Sequence, residues 1–115
     1  MNIDSTRRRR RLRAYRCRGG HCYFTRYDRC PACGGTLTGT SLPPEALLLA
    51  HTVVRVNPSG QPFKLGIVRT RSGATTLCIV HGTVRGNGRD RVLLYEQDGR
   101  FHADGRNARL SGERR

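Results

Sequence analysis

The chain has 115 residues, enough for one domain or one domain with a small appendage. Twenty-two Lys and Arg against eight Asp and Glu give a formal charge of +14, and Leu, Ile, Val and Phe together number only 24. These values disfavour a large enzyme with a deep private active site and point to polyanionic or acidic partners. No apolar run approaches the roughly 18–20 residues of a membrane span, and no apolar stretch follows the basic N-terminus as a secretory signal would require.

In chain order, residues 1–16 carry seven arginines, at positions 7–11, 13 and 16. A block of like charge repels itself, which predicts a flexible or helical basic segment. Residues 17–35 are rich in Cys and Gly and poor in apolar side chains. Residues 36–45 (TLTGTSLPPE) read as a linker, because Pro43 and Pro44 favour extended geometry.

From residue 46 the pattern turns to strands. β-rich runs lie at 47–56, 63–70, 75–81, 91–96 and 101–103. They are separated by NPSGQP (57–62), the Arg71–Ala74 connection, RGNGRD (85–90) and the Gln97–Arg100 turn. Nineteen of the 24 large apolar residues fall between Leu42 and Phe101, so the middle of the chain can form a core by itself. Five short strands without a helical period predict a small barrel over 46–103, of OB type with an SH3-like barrel as the alternative. Residues 104–115 contain a single Leu and read as a disordered tail.

The clearest chemical signal is Cys17-Arg-Gly-Gly-His21-Cys22 followed by Cys30-Pro-Ala-Cys33-Gly. Two cysteines separated by two residues in a tight turn can grip one tetrahedral metal ion. Pro31 suits the first turn position, and Gly34 tolerates the positive φ that follows. The first half is irregular, with four residues between Cys17 and Cys22. The expected ligands are Cys17, Cys22, Cys30 and Cys33, with His21 as the substitute for Cys22. Disulfides and CxxC redox chemistry are the alternatives; the missing secretory signal disfavours the former and the missing helical context the latter. Four filled positions would make a zinc ion structural and not catalytic. Cys78, between Leu77 and Ile79, reads as a buried apolar side chain, and His51 and His102 as ordinary strand histidines.

A basic segment, a cysteine pair with Phe24 and Arg26, CPxCG, a Pro-containing linker and then AHTVVRVNPSGQPFKLGIVRTRSG occur in that order. From residue 15 to about 103 this arrangement resembles the zinc-ribbon/OB-fold proteins that accompany thiolase-like enzymes. The resemblance implies an all-β chain, with a rubredoxin-like zinc ribbon followed by a five-stranded OB-type barrel, and an elongated two-lobed molecule is expected. It also implies a non-catalytic accessory subunit of a thiolase-like or acyltransferase complex. Such a subunit scaffolds its partner and helps enclose the CoA of an acyl thioester, in the cytoplasm. The sequence departs from the family pattern where Gly20 stands in place of the second cysteine and at RGNGRD before the fourth barrel strand. The competing expectation is a single-stranded nucleic-acid-binding module, for which the charge argues. Only Phe63, Tyr95 and Phe101 supply barrel aromatics, and that scarcity argues against it.

Overall fold

The computed structural model describes residues 10–55 and 60–105. Every regular element among them is a strand: β1 (Leu12–Cys17), β2 (Cys22–Tyr23), β3 (Leu37–Leu42), β4 (Glu45–Val54), β5 (Phe63–Thr70), β6 (Thr75–His81), β7 (Asp90–Gln97) and β8 (Arg100–Asp104). No helix among the described residues is long and apolar enough to cross a membrane.

The strands form two sheets. One has three antiparallel strands in the order β2-β1-β3; the other is a closed barrel in the order β4-β5-β6-β8-β7, with β7 returning to β4. All barrel pairings are antiparallel except β6 with β8. Numbered within the barrel, that order is 1-2-3-5-4-1, the topology of an OB-type barrel. The SH3-like alternative is thereby set aside.

Local chemistry sets the turns. Between β7 and β8, Asp98 and Gly99 both take positive φ, 55° and 75°, as a two-residue hairpin of this hand demands. In β4 the register with β5 shifts between Leu48 and Ala50. This bulge lets the strand bend around the closing ring. Beyond it, Gly66 faces inward at a point where a Cβ would come within 2.7 Å of Leu48 Cδ1 and 2.8 Å of Val80 Cγ2.

The barrel core gathers Leu48, Val68, Cys78, Val80, Val92, Leu94 and Ala103. The same cluster includes Leu12, from the ribbon strand β1, with Phe24 and Phe101 packed against it. The Phe24 and Phe101 rings lie 4.8 Å apart. A second, smaller cluster joins Ala14, Cys22 and Leu42 of the ribbon to Ala74 at the β5–β6 turn. The ribbon therefore stoppers the barrel end at which β4 and β6 begin. The β6–β7 connection lies at the opposite end, where Lys64 Nζ donates to the Gly82 carbonyl at 2.7 Å and Val84 packs onto the core.

Three sequence expectations change. The stretch 36–45 is not a linker: Leu37–Leu42 pairs along its whole length with β1, from Leu12↔Leu42 to Cys17↔Leu37. Pro43 and Pro44 stop this strand without preventing it. Residues 12–16, assigned to the flexible or helical basic segment, form β1, because Leu12 and Ala14 alternate with Arg13 and bury one face. Finally, the molecule is not elongated: its principal extents are 42 × 39 × 28 Å, since the ribbon folds onto the barrel. The basic segment over 1–9, part of the NPSGQP turn and the tail from 106 lie outside the described residues.

Candidate metal centre

β1 and β2 form a short hairpin whose two faces have different tasks. Arg16 lies opposite Cys22, and Tyr15 opposite Tyr23. Cross-strand partners share a face and successive residues alternate. Ala14, Arg16 and Cys22 therefore face the barrel, whereas Tyr15, Cys17 and Tyr23 face away. The Cys17 N–H donates to the His21 carbonyl at 3.0 Å, which sets His21 across from Cys17 on the outward face.

Cys17, His21, Cys30 and Cys33 converge there, with one ligand atom from each lying within 4.8 Å of all the others. Cys17 Sγ is 3.2 Å from His21 Nδ1, Cys30 Sγ is 3.6 Å from the same nitrogen, and Cys33 Sγ is 3.7 Å from Cys17 Sγ. Around a tetrahedral ion with metal–sulfur bonds of about 2.3 Å and metal–nitrogen bonds near 2.0 Å, ligand atoms sit roughly 3.5–3.8 Å apart. The cluster thus fits one tetrahedral metal ion held by three sulfurs and one imidazole.

Two turns build it. After Cys17, Gly20 donates back to the Cys17 carbonyl at 3.0 Å with φ of 94°. In the Cys30–Gly35 knuckle, Gly34 donates to the Cys30 carbonyl at 2.7 Å with φ of 74°, and Cys30 donates to Gly35 at 2.8 Å. L side chains rarely adopt such φ values, so the glycines in RGGH and CPACGG let both turns close.

Cys22 is the correction to the expected ligand set. It is buried against Ala14, Leu42, Ala74 and Phe24, and its sulfur accepts a hydrogen bond from Arg16 Nε at 3.3 Å. Strand alternation places it on the wrong face, and His21, the expected substitute, takes the fourth position. In the observed register the turn is the three residues 18–20, so the residue that directly opposes Cys17 is His21 and not Cys22.

The electrostatics agree with a thiolate site. Burial pushes the Cys17 thiol up, but the His21 N–H, the Cys33 thiol and the Gly19 N–H together outweigh it, and the net shift is downward. Burial also raises Cys30, and the Tyr23 hydroxyl and the N–H groups of Cys33 and Ala32 more than offset it. At Cys33 the Gly35 N–H favours the thiolate, yet the neighbouring Cys30 and Cys17 sulfurs win and the pKa rises. Tyr23 Oη lies 3.2 Å from Cys30 Sγ, and this bond is the main reason its phenol is pushed up to about 12. Thiolates bind metal, and their protons leave when the ion arrives.

Next to Cys17, a cleft of about 760 Å³ is lined by Arg16, Arg18, Thr36, Thr38 and Thr40 along β3 and its approach. Its charged groups are all cationic. The remaining singled-out residues lie elsewhere. Cys78 is buried in the barrel, opposite Gly66. His51 faces inward with Nδ1 buried and without a hydrogen-bond partner, its ring against Gly86. His102 is not isolated: its Nδ1 lies 2.9 Å from His81 Nε2 with the two rings side by side and nearly coplanar, and its centroid lies 5.3 Å from that of the near-parallel Tyr95 ring.

No protein-family model matches the chain, and no curated protein matches its sequence.

Proposed function

We propose that the chain is a non-catalytic accessory subunit of a thiolase-like or acyltransferase complex acting on acyl-CoA thioesters. One observation carries the reading. A Cys₃His ribbon precedes an OB-type barrel and is seated on it as a stopper, the order of parts that the sequence resemblance implies. The ion in the ribbon is zinc by the chemistry of the donor set: three sulfurs and an imidazole in a tetrahedron suit Zn²⁺. With four protein ligands no coordination position is left for substrate, so the ion is structural.

The donor-lined cleft beside Cys17 supports the CoA part of the reading. Arginine forks and threonine hydroxyls match the oxygens of a pyrophosphate or 3′-phosphate. The reacting groups for thioester chemistry belong to the partner. The setting is the cytoplasm.

The test is co-expression with the products of neighbouring genes, followed by affinity purification and mass determination. A stoichiometric complex with a thiolase-like enzyme is expected, and its acyl-CoA turnover should vanish when this chain is omitted. Turnover by this chain alone would overturn the reading.

A second reading, a single-stranded nucleic-acid-binding module, is favoured by the net charge and by the adjacent His81 and His102 rings on the outer barrel face, exposed and half-buried respectively. Tight, steeply salt-dependent binding of an oligonucleotide, with no protein partner, would favour it over the first.

A further inference from the structure

On the outer face of β5 and β6, inward and outward residues alternate cleanly. Gly66, Val68, Cys78 and Val80 point into the barrel, so Ile67 and Leu77 point out. They are direct cross-strand partners, 42% and 58% exposed. Ala50 of β4 extends the same row on the far side of Ile67 and is exposed too. In the next row toward the β6–β7 connection, Leu65 pairs with Ile79, both half-buried. Five aliphatic side chains thus make one continuous surface patch. Contiguous exposed apolar area of this kind marks a contact site more often than scattered single residues do.

The charge around the patch has one sign. In the row on its other side, Leu47 lies between Arg69 of β5 and Arg91 of β7, both exposed. None of these rows holds a carboxylate. The nearest along β4 is Glu45, two residues beyond Leu47 on the far side of the arginine row.

We propose that this face docks a protein whose surface carries an apolar centre bordered by Asp or Glu on the side that meets Arg69 and Arg91. Resting on the accessory-subunit reading, the inference adds which surface engages the partner and what that partner must present. Two other occupants fit less well. A second copy of the chain brings no carboxylate from this face to pair with Arg69 and Arg91. A nucleic acid brings phosphates, but its bases need exposed flat rings to stack on; Ile67, Leu77, Leu65 and Ile79 offer none, and of the rings that continue their row His102 is half-buried and Tyr95 buried. Apolar burial would supply affinity, and the arginines would set orientation and association rate.

The test places the photo-crosslinker p-benzoylphenylalanine at Leu77 of the full chain, expressed in its native cells. The expected result is a crosslink to one polypeptide, at a peptide with apolar residues flanked by acidic ones. Reversing charge at Arg69→Glu and Arg91→Glu together should cut its yield by roughly tenfold or more. Both arginines are exposed, and an unchanged thermal midpoint would show that the barrel still folds. A milder pair, Arg69→Gln with Arg91→Gln, should lower the yield by less. Crosslinking to nucleic acid or to a second copy, no crosslink, or a yield indifferent to charge reversal would each overturn the proposal. The two readings fail separately. An acidic partner that is not thiolase-like removes the complex assignment and leaves the surface standing. A thiolase-like partner that co-purifies but does not crosslink from Leu77 does the reverse.

Discussion

The barrel closes five strands around Leu48, Val68, Val80 and Leu94, so every strand has two neighbours and an apolar core to cover. The ribbon has β1 alone between two partners, and its own apolar cluster is small: Ala14, Cys22 and Leu42 beside Phe24. It commits four side chains on its other face to the sulfur–imidazole cluster. One chain therefore uses two means of holding a sheet together. Where apolar residues are plentiful, burial suffices; where they are scarce, the chain gathers side chains positioned to hold a metal ion. The halves are still not independent, because Leu12 and Phe24 of the ribbon close the barrel end.

The sharpest way to break this contrast is Cys30→Ser. A structural zinc ion held by three sulfurs and an imidazole would contribute on the order of 10–16 kcal/mol of binding free energy. That is comparable to or larger than the whole stability of a small domain. Metal analysis of the wild-type chain should give one zinc per molecule, and the variant close to none. Hydrogen exchange should then show β1 and β3 unprotected, with β4–β8 weakened but still protected. A variant without metal whose ribbon amides stay protected would show that coordination is not what holds the ribbon.

The second comparison sets His21 against Cys22, neighbours on opposite faces of one hairpin. His21→Ala should weaken metal binding by more than the roughly 10–100-fold that loss of an outer-shell partner costs, read by competition with a chromophoric chelator. Cys22→Ala should keep full metal occupancy and cost about 1 kcal/mol of stability through lost packing against Ala14 and Leu42. If Cys22→Ala lost the ion and His21→Ala kept it, the assignment of faces would be inverted.

Within the barrel the effects should be those of a packed core. Leu94 is fully buried, and Leu94→Ala should cost about 2–5 kcal/mol in urea unfolding while leaving zinc content unchanged. Gly66→Ala should cost somewhat less, about 1–3 kcal/mol, because the new methyl meets Leu48 and Val80 at 2.7 and 2.8 Å and one of them must move. A neutral Gly66→Ala would mean that the bulge beside Ala50 can absorb the added volume.

Much of the barrel was legible because its signals are local. Alternation marks Phe63–Thr70 and Thr75–His81 as strands, and Asp98-Gly99 announces its hairpin. The CPACG knuckle was equally plain. What the sequence concealed depends on pairing across distance. Leu37–Leu42 (LTGTSL) is a largely polar stretch followed by two prolines, and nothing in its own composition says that β1 will be its partner. Leu12 and Ala14 were masked by the arginines around them, although their spacing of two was the clue. The fourth ligand was misassigned because cysteine count was weighed above register. Once Cys17 and His21 are seen as opposing residues, strand alternation removes Cys22.

Cys78 gives the finest test, because it reverses the behaviour of Cys17 and Cys30 in the ribbon. In the ribbon, hydrogen-bond donors lower Cys17 and Cys30 despite their burial. In the barrel, burial acts alone on Cys78 and pushes its thiol up from 9.0 to about 11. A thiol whose pKa is higher folded than unfolded adds stability that is complete below the unfolded value. Above pH 9.0 the unfolded chain releases this proton while the native barrel keeps it, so stability falls until the native thiol ionises near pH 11. Cys78→Ala removes the contribution, and the ribbon thiols and tyrosines cancel in the difference. Urea midpoints of wild type and Cys78→Ala should therefore run parallel below pH 9 and converge or cross as the pH rises toward 11. Midpoints that stay parallel throughout would mean that the Cys78 thiol titrates alike in both states. Hydrogen-bond donors at Cys17 and Cys30 and burial at Cys78 would then not be acting on cysteine in opposite ways in the two halves of this chain.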